Sequence, residues 1–347
     1  MRRVIQCGVG GYGELWLETL GKARDRVDVV GLVDTNVDAL GAAGARLGVD
    51  SSRQFTDLAE ALAQVDADSL VCVVPPAFHE TVVSAALKAG LHVLTEKPLA
   101  DTMAASRRLA ELADASPGAL MVAQKGRFHP WVKRFRSALE HSEVGPLGHL
   151  TVTFRAAEFF WGIGSNFRHR MADPLLTEMS IHHFDLIRAL LGVNAVSVSG
   201  ASWNPPGSGF EGDVAASLVF QMEGDVPVVY TAYIRSSGDL TSWYGDIRAE
   251  CDRGAVTMVA PSLYLATRGA HQGVRSEDFR APAQELASVG HPHDGQALAF
   301  AEFLAATDEG REPESGAREN LQSVAMMFAA IDACRSGATA YIADYVS

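Results

Sequence analysis

Short apolar segments alternate with amphipathic segments through the first third of the chain. The near-continuous apolar segments predict strands at residues 3–7, 27–33, 69–74, 91–98 and 119–124. The segments between them have helical periodicity and predict helices at residues 14–23, 39–47, 57–64, 80–88 and 103–113. Apolar strands separated by helices are typical of a parallel sheet that is covered on both faces. We therefore predict a doubly wound α/β domain over residues 1–124.

A different pattern begins after Gln124. Helices are predicted at residues 131–140, 174–191, 294–306 and 317–335. Strands are predicted at residues 149–158, 195–203, 214–221, 227–235, 242–251, 255–259, 263–267 and 340–345, with 276–291 irregular. Consecutive strands without intervening helices indicate an antiparallel sheet. Residues 125–347 are thus predicted to form a second α/β domain with a large open, mainly antiparallel sheet, and a length of 347 residues also favours two domains.

A glycine-rich loop follows the first strand and precedes the first helix. It has the sequence Gly8-Val9-Gly10-Gly11-Tyr12-Gly13. Glycines at this spacing permit a tight turn, close approach of the backbone to a pyrophosphate, and close packing of helix on strand. The helix N-terminus then offers unpaired N–H groups to phosphate. The loop therefore predicts a dinucleotide site.

Asp34 ends the second predicted strand, at the position where such sites carry an acidic residue. Its carboxylate would accept hydrogen bonds from the adenosine ribose and would repel a 2′-phosphate. Neither Thr35 nor Asn36 supplies a cation, which favours NAD, although Arg53 leaves NADP open. The alternative is that Asp34 caps the following helix, and both roles are compatible.

Two further segments place polar residues after apolar strands. Thr95-Glu96-Lys97-Pro98 puts a lysine at the carboxyl end of a strand, where ligands bind in such sheets. Taken alone, a surface ion pair would be the simpler interpretation. Pro75-Pro76 ends the preceding strand, and His79 begins a helix, where a structural or capping role is favoured over a catalytic one.

Residues 174–191 carry Glu178, His182 and Asp185 at helical spacing, so the three are expected on one face. A carboxylate one turn from an imidazole can orient the ring and raise its basicity. A structural role for His182 is the alternative. The preceding segment, 159–170, is rich in aromatic and cationic residues and is interpreted as a ligand-recognition loop or, alternatively, as an ordered surface loop.

Composition narrows the function. A net charge of −13 argues against a nucleic-acid partner, and the absence of a long apolar run argues against a membrane span. The N-terminal apolar residues run directly into Gly8, which argues against a signal peptide. The four cysteines are scattered, so we expect no metal site and a cytoplasmic location.

These motifs together resemble the glucose–fructose oxidoreductase / inositol dehydrogenase / MocA family over essentially the whole chain. The resemblance implies a Rossmann domain, an antiparallel sheet that serves oligomer contacts, and therefore a homodimer or homotetramer. It also implies NAD(P)-dependent oxidation or reduction of a small sugar-like or polyol substrate.

The resemblance also implies roles for single residues. The implied cofactor contacts are Gly8, Gly10, Tyr12, Gly13, Asp34, Val74, Pro75, His79, Glu96 and Gln124, and we also expect Gly11, Thr35 and Lys97 to contact the cofactor. The implied substrate contacts are Lys97, His182 and Asp185. Independently of the resemblance, the polar and aromatic chemistry of their segments makes further residues candidate contacts of an acidic or heavily hydroxylated substrate: Arg127, Trp161, Arg168, Arg170 and His183. Lys97 and His182 would be the catalytic pair, with Glu178 as the supporting carboxylate. This chain has Glu178 and Ser180 where the family usually has Asp and Gly, so substrate identity does not transfer from relatives.

Three functions are compatible with these observations. A dehydrogenase acting on a secondary alcohol is favoured, because Lys97 and His182 are both present. A regulatory protein that binds dinucleotide without turnover would need neither residue. Redox-neutral, NAD-assisted glycoside cleavage, in which the hydride leaves and returns, is the third.

Overall fold

The computed structural model describes residues 1–140, 144–157, 167–267, 283–291 and 294–347. Two compact units are distinguished, one of residues 1–125 and 296–324, the other of residues 126–295 and 325–347. The sequence-based division at residue 124 did not assign 296–324 to the first unit. Several hydrogen bonds join this segment to that unit. Among them, Ser315 Oγ donates to the Val122 carbonyl (2.6 Å) and Val122 N donates to the Ser315 carbonyl (2.9 Å).

The first unit contains a six-stranded parallel sheet. Its strands are β1 (Arg2–Cys7), β2 (Val27–Val33), β3 (Gln54–Phe55), β4 (Ser69–Cys72), β5 (His92–Thr95) and β6 (Leu120–Val122). Its first five helices are α1 (Gly13–Lys22), α2 (Val37–Leu47), α3 (Leu58–Gln64), α4 (His79–Lys88) and α5 (Met103–Ala115). The strand order is β3-β2-β1-β4-β5-β6, and every pair is parallel. The prediction of a doubly wound sheet is confirmed; only the two-residue strand β3 was missed.

The order in which the strands are added to this sheet reverses at β1. From β1 the chain proceeds outward through β2 and β3, and then returns to β4 on the other side. The loops after β1 and β4 therefore diverge and leave a crevice at the carboxyl edge, which is where ligands bind in open α/β sheets. The glycine-rich loop lies at this edge.

The second unit contains a nine-stranded sheet. Its strands are β7 (Leu147–Arg155), β8 (Ala195–Trp203), β9 (Ala215–Met222), β10 (Val226–Tyr233), β11 (Asp246–Cys251), β12 (Gly254–Val259), β13 (Ser262–Thr267), β14 (Gln284–Ser288) and β15 (Ala340–Tyr341). The remaining helices of the described residues are α6 (Pro130–Leu139), α7 (Ile181–Leu191), α8 (Asp294–Glu309), α9 (Ala317–Ser336) and α10 (Ala343–Val346); α8 from residue 296 and α9 as far as residue 324 belong to the first unit. The order is β14-β13-β12-β11-β7-β10-β9-β8-β15, and all pairs are antiparallel except β7 with β10. The prediction of a mainly antiparallel sheet is confirmed.

Four local predictions for this unit were wrong in part. The strand expected at residues 242–251 begins only at Asp246, because residues 242–245 form a turn. Residues 276–291 were expected to be irregular, but β14 lies within them; residues 276–282 are outside the described part. The last expected strand is reduced to β15, and the chain then turns into α10. The predicted helix over 174–191 has a π-helical first part, Leu175–Ser180, before α7 begins.

Helix α7 packs on one face of the nine-stranded sheet. The Phe184 ring meets the Phe220 ring (centroids 4.9 Å apart) and the Tyr230 ring (5.2 Å). Burial alternates along β9 and β10, as expected for strands with one covered face. This packing fixes the position of the polar residues that α7 carries. None of the helices in the described residues is long and apolar enough to span a membrane.

Candidate active site

Two glycines of the glycine-rich loop are required by close backbone contacts. Gly8 has a φ of +87°, and a Cβ there would lie 2.5 Å from the Val73 carbonyl oxygen. A Cβ on Gly13 would lie 2.4 Å from the Gly8 carbonyl oxygen. Any side chain at either position would force the loop apart. The loop therefore brings its backbone N–H groups to the crevice in a shape that only glycine allows.

The side chain of Gln6 holds this loop in place through two hydrogen bonds. Its side chain is fully buried in β1, and its Nε2 donates to the Gly8 and Gly13 carbonyls, both at 2.9 Å. Because both partners are acceptors, the nitrogen of the amide must face them. This role was not predicted, although a glutamine within an otherwise apolar strand indicates a buried polar contact.

Asp34 lies beside the same loop at the end of β2. Its Oδ2 accepts from the N–H groups of Val9 (2.8 Å) and Gly10 (3.3 Å). The alternative role as cap of α2 falls to Asn36, whose side chain accepts from the first turn of that helix. Asp34 instead places a carboxylate at the crevice, in the position expected for a ribose contact.

His79 is buried and is engaged by main-chain carbonyls. Nδ1 lies 2.8 Å from the Pro98 oxygen, and Nε2 lies 2.9 Å from the Val74 oxygen. Burial lowers the pKa of His79 despite these two carbonyls. The ring therefore ties together the segments that follow β4 and β5, which supports the structural interpretation over the catalytic one.

Glu96 is the centre of a polar cluster at the carboxyl end of β5. Its Oε1 accepts from Trp16 Nε1 (2.8 Å) and lies 3.3 Å from Lys125 Nζ, while Oε2 accepts from Lys97 N (3.2 Å). The Lys125 ammonium also contacts the Tyr12 hydroxyl. Burial lowers the pKa of Lys125, but Glu96 and Tyr12 outweigh it and leave the pKa raised. Lys97 itself is half-buried. Trp16 and Lys125 are additions to the site that the sequence did not predict.

The buried carboxamide of Gln124 bears on whether these residues fit a nicotinamide cofactor. Its side chain is buried, and neither carboxamide atom has a hydrogen-bond partner within the described residues. Buried polar atoms are nearly always paired, so this side chain is suited to pair with a bound group. A carboxamide of nicotinamide offers the complementary donor and acceptor. The residues at this edge therefore fit the cofactor that the glycine-rich loop predicts.

The second unit buries two of the predicted substrate contacts as an ion pair. Arg127 Nε and Nη2 donate to the two carboxylate oxygens of Asp185, both at 2.8 Å. Both side chains are almost fully buried. Arg127 and Asp185 were expected to bind substrate. Their bidentate pairing inside the unit instead assigns them to positioning the segment after β6 against α7.

A second predicted contact, His183, is also enclosed. Nε2 lies 2.9 Å from the Trp243 carbonyl and Nδ1 lies 2.8 Å from the Tyr230 hydroxyl, which is in turn 2.9 Å from Ser180 Oγ. Burial lowers the pKa of His183 to about 4, so the ring is neutral. Since the Trp243 carbonyl can only accept, Nε2 carries the proton, Tyr230 donates to Nδ1, and Ser180 donates to Tyr230. His183 is therefore a structural residue rather than a substrate contact.

His182 and Glu178 are half-buried. The Glu178 carboxylate accepts from Arg168 Nε at 3.0 Å. Because Glu178 lies in the π-helical turn, the α-helical facing expected for residues four apart does not apply to it directly. The His182 ring lies 6.1 Å from the Trp243 ring, at an interplanar angle of 57°.

The remaining predicted contacts differ in their setting. Arg170 is exposed, and Trp161 lies outside the described residues. Thr35 and Pro75 are exposed beside the crevice loops, and Val74 is half-buried.

Comparisons with known proteins identify the fold and the family. Residues 2–124 match the GFO_IDH_MocA model, described as an oxidoreductase family with an NAD-binding Rossmann fold. The uncharacterized protein y4oX of Sinorhizobium fredii is 30% identical over 99% of this chain and 96% of its own length. Inositol 2-dehydrogenase of Corynebacterium glutamicum is 30% identical over 57% of each chain. A crystal structure of an oxidoreductase from Agrobacterium radiobacter, with NAD+, L-tartaric acid and magnesium, superimposes with a TM-score of 0.85 at 16% identity, covering 99% of both chains.

The fold, the glycine-rich loop and the full-length similarity all lead to one assignment. The first domain is an NAD-binding Rossmann domain. The chain belongs to the Gfo/Idh/MocA family of oxidoreductases.

Proposed function

We propose that this protein is an NAD-dependent oxidoreductase that transfers a hydride between nicotinamide and a carbon bearing a secondary hydroxyl of a sugar, a polyol or a related derivative. The observation that carries the proposal is the presence of both Lys97, directly after β5, and His182, at the start of α7. A protein that only bound the dinucleotide would need neither side chain. The similarity to an inositol 2-dehydrogenase supports the class of substrate.

One group of residues would bind the cofactor, and another would transfer the proton and polarise the substrate oxygen. The glycine-rich loop would hold the pyrophosphate, Asp34 the adenosine ribose, and Gln124 the nicotinamide carboxamide. When bound, the nicotinamide takes up or gives back the hydride. His182 would take the hydroxyl proton at its ring nitrogen, and the Lys97 ammonium would polarise the same oxygen.

Glu178 has a modified supporting role in this proposal. Its carboxylate is held by Arg168, so its negative charge is partly compensated before it can act on His182. We expect Glu178→Gln to lower kcat less than His182→Ala does, because it changes an indirect contribution. Equal losses in the two variants would make Glu178 as important as the histidine.

The direct test measures binding and turnover separately. Purified protein is titrated with NADH and NADPH, and NADH formation is then followed over a panel of sugars and polyols. Lys97→Ala and His182→Ala should each lower kcat by about 10²–10⁴-fold, the usual contribution of a proton-transfer group. Lys88→Ala and His149→Ala, which change the same residue types elsewhere, should keep full activity.

The outcomes separate the three functions. NADH binding with turnover that depends on both residues supports the dehydrogenase. Binding without turnover on any panel member favours the regulatory function, and product formation without net NADH favours the redox-neutral reaction. Absence of nucleotide binding would refute the proposal.

We further propose that the protein is a homodimer or a homotetramer. The outward face of the nine-stranded sheet carries exposed apolar side chains, among them Val219 on β9 and Tyr341 on β15. Exposed apolar groups gathered on one sheet favour association. Sedimentation velocity should give a mass of two or four chains, and a monomer at micromolar concentration would refute this part.

A further inference from the structure

The connection between β10 and β11 ends in a tight turn at Ser242–Gly245. Gly245 N donates to the Ser242 carbonyl (3.0 Å), and Tyr244 N donates to Ser242 Oγ (3.3 Å). Tyr244 is buried, and its ring packs on Trp131 with centroids 5.5 Å apart. Trp243, the neighbouring residue, is 39% exposed. The turn therefore buries one aromatic side chain and presents the next one at the surface.

The main chain of Trp243 is held by a continuous hydrogen-bonded chain. Its carbonyl accepts from His183, which accepts from Tyr230, which accepts from Ser180. Each of these three side chains is buried, and each can donate its hydrogen bond only toward the next member of the chain. An exposed indole on a main chain fixed in this way loses little conformational freedom on binding a ligand.

The indole of Trp243 stands beside His182. The two ring centroids are 6.1 Å apart, and the rings are inclined by 57°. An exposed tryptophan forgoes the free energy of burial that its large apolar surface offers. Nothing in the proton-transfer chemistry requires an indole at this position, so a ligand contact is the physical reason that fits.

We propose that the Trp243 indole is a stacking platform for the C–H face of a cyclic, hydroxylated substrate, a pyranose or a cyclitol, with the hydroxyl-bearing edge of that ring turned toward His182. This inference rests on the proposed function and narrows its substrate class. The face of an aromatic ring carries negative charge density and attracts the weakly positive C–H groups of such a ring. An acyclic polyol cannot present a flat C–H face without losing conformational freedom.

The test compares cyclic and acyclic substrates in matched variants. KM and kcat are measured for myo-inositol, D-glucose and acyclic D-glucitol in the intact protein, in Trp243→Ala, in Trp243→Phe and in Leu240→Ala. Leu240 is the control, since it lies in the same connection and is 40% exposed. Trp243→Ala should raise KM for the cyclic compounds about three- to tenfold, the range expected from one aromatic contact, with kcat within about twofold. Trp243→Phe should restore most of the loss.

Four outcomes decide the proposal. A larger rise in KM for cyclic than for acyclic compounds in Trp243→Ala, absent in Leu240→Ala, supports it. Equal effects of the two variants, or a loss confined to kcat, overturn it while the dehydrogenase assignment stands. Turnover of D-glucitol alone by the unmodified protein also overturns it. No turnover of any panel member by the unmodified protein, despite NADH binding, overturns both.

Discussion

Replacing Gln6 with methionine removes the two hydrogen bonds that close the glycine-rich loop and leaves the volume of the side chain almost unchanged. The Gly8 and Gly13 carbonyls each lose a donor at 2.9 Å in a buried setting. Each such bond contributes about 1 kcal/mol, so the change is worth about 2 kcal/mol in total. NADH must then restore the loop shape at the expense of its own binding free energy, and we expect its Kd to rise roughly ten- to thirtyfold.

The assay is a titration of NADH fluorescence, with thermal unfolding measured on the same samples. Gln54→Met is the matched control, because Gln54 Nε2 donates to the Val49 carbonyl (2.9 Å) outside the glycine-rich loop. Both variants should lower the unfolding temperature, but only Gln6→Met should weaken NADH binding. Equal Kd values in Gln6→Met and in the unmodified protein would refute the reasoning and leave Gln6 a purely structural residue.

A second substitution at this position adds a dependence on pH. In Gln6→Glu, burial raises the pKa of the introduced carboxyl, and only its protonated form can donate to a carbonyl. A group with a raised pKa in the folded state contributes stability at low pH and loses it as pH rises. NADH binding by this variant should therefore improve as pH falls, whereas Gln6→Met should show no such trend.

Three further predictions concern charge. Asp185→Asn breaks one side of a buried bidentate pair and should lower the unfolding free energy by about 3–5 kcal/mol in urea denaturation, whereas Arg127→Met combined with Asp185→Leu should recover part of it; an unchanged midpoint in Asp185→Asn would contradict this. The pKa of His183 is lowered to about 4 from 6.5, so its contribution to stability is full above pH 6.5 and is lost as pH falls toward 4; His183→Phe should show a flatter dependence of the unfolding midpoint on pH over that range. Asp34→Ser should shift the ratio of the NADPH and NADH Kd values toward NADPH by about tenfold, since the carboxylate that repels a 2′-phosphate is removed; an unchanged ratio would assign cofactor choice to another group.

The parallel sheet of the first unit was predictable because its strands are buried on both faces. A strand in that setting needs a nearly unbroken apolar segment, and β1, β2, β4, β5 and β6 each lie within or at one residue of the predicted segment. β3 has only two residues, too few to show any periodicity. Residues 296–324 join this unit through tertiary contacts such as that of Ser315 with Val122. A local sequence pattern cannot predict a contact between residues so far apart in the chain.

The candidate site also has a part that the sequence predicted and a part that it did not. Glycine spacing, Asp34 and the Glu96-Lys97 pair follow from local chemistry, since a tight turn and a strand end make the same demands wherever they occur. The pairing of Arg127 with Asp185 depends on residues far apart in the chain, and it moved two expected substrate contacts into the interior.

The sequence by itself determined most of the elements, their order and the position of the glycine-rich loop, because apolar periodicity and glycine geometry act over a few residues. Only the tertiary structure decided which polar side chains are buried and hydrogen-bonded inside the protein and which remain at the surface. His182 and His183 are adjacent and chemically identical, yet packing encloses His183 between Tyr230 and Trp243 and leaves His182 half-buried. That difference arises from the sheet against which α7 packs. The sequence pattern of one helix cannot predict it, because the partners of His183 lie on other elements.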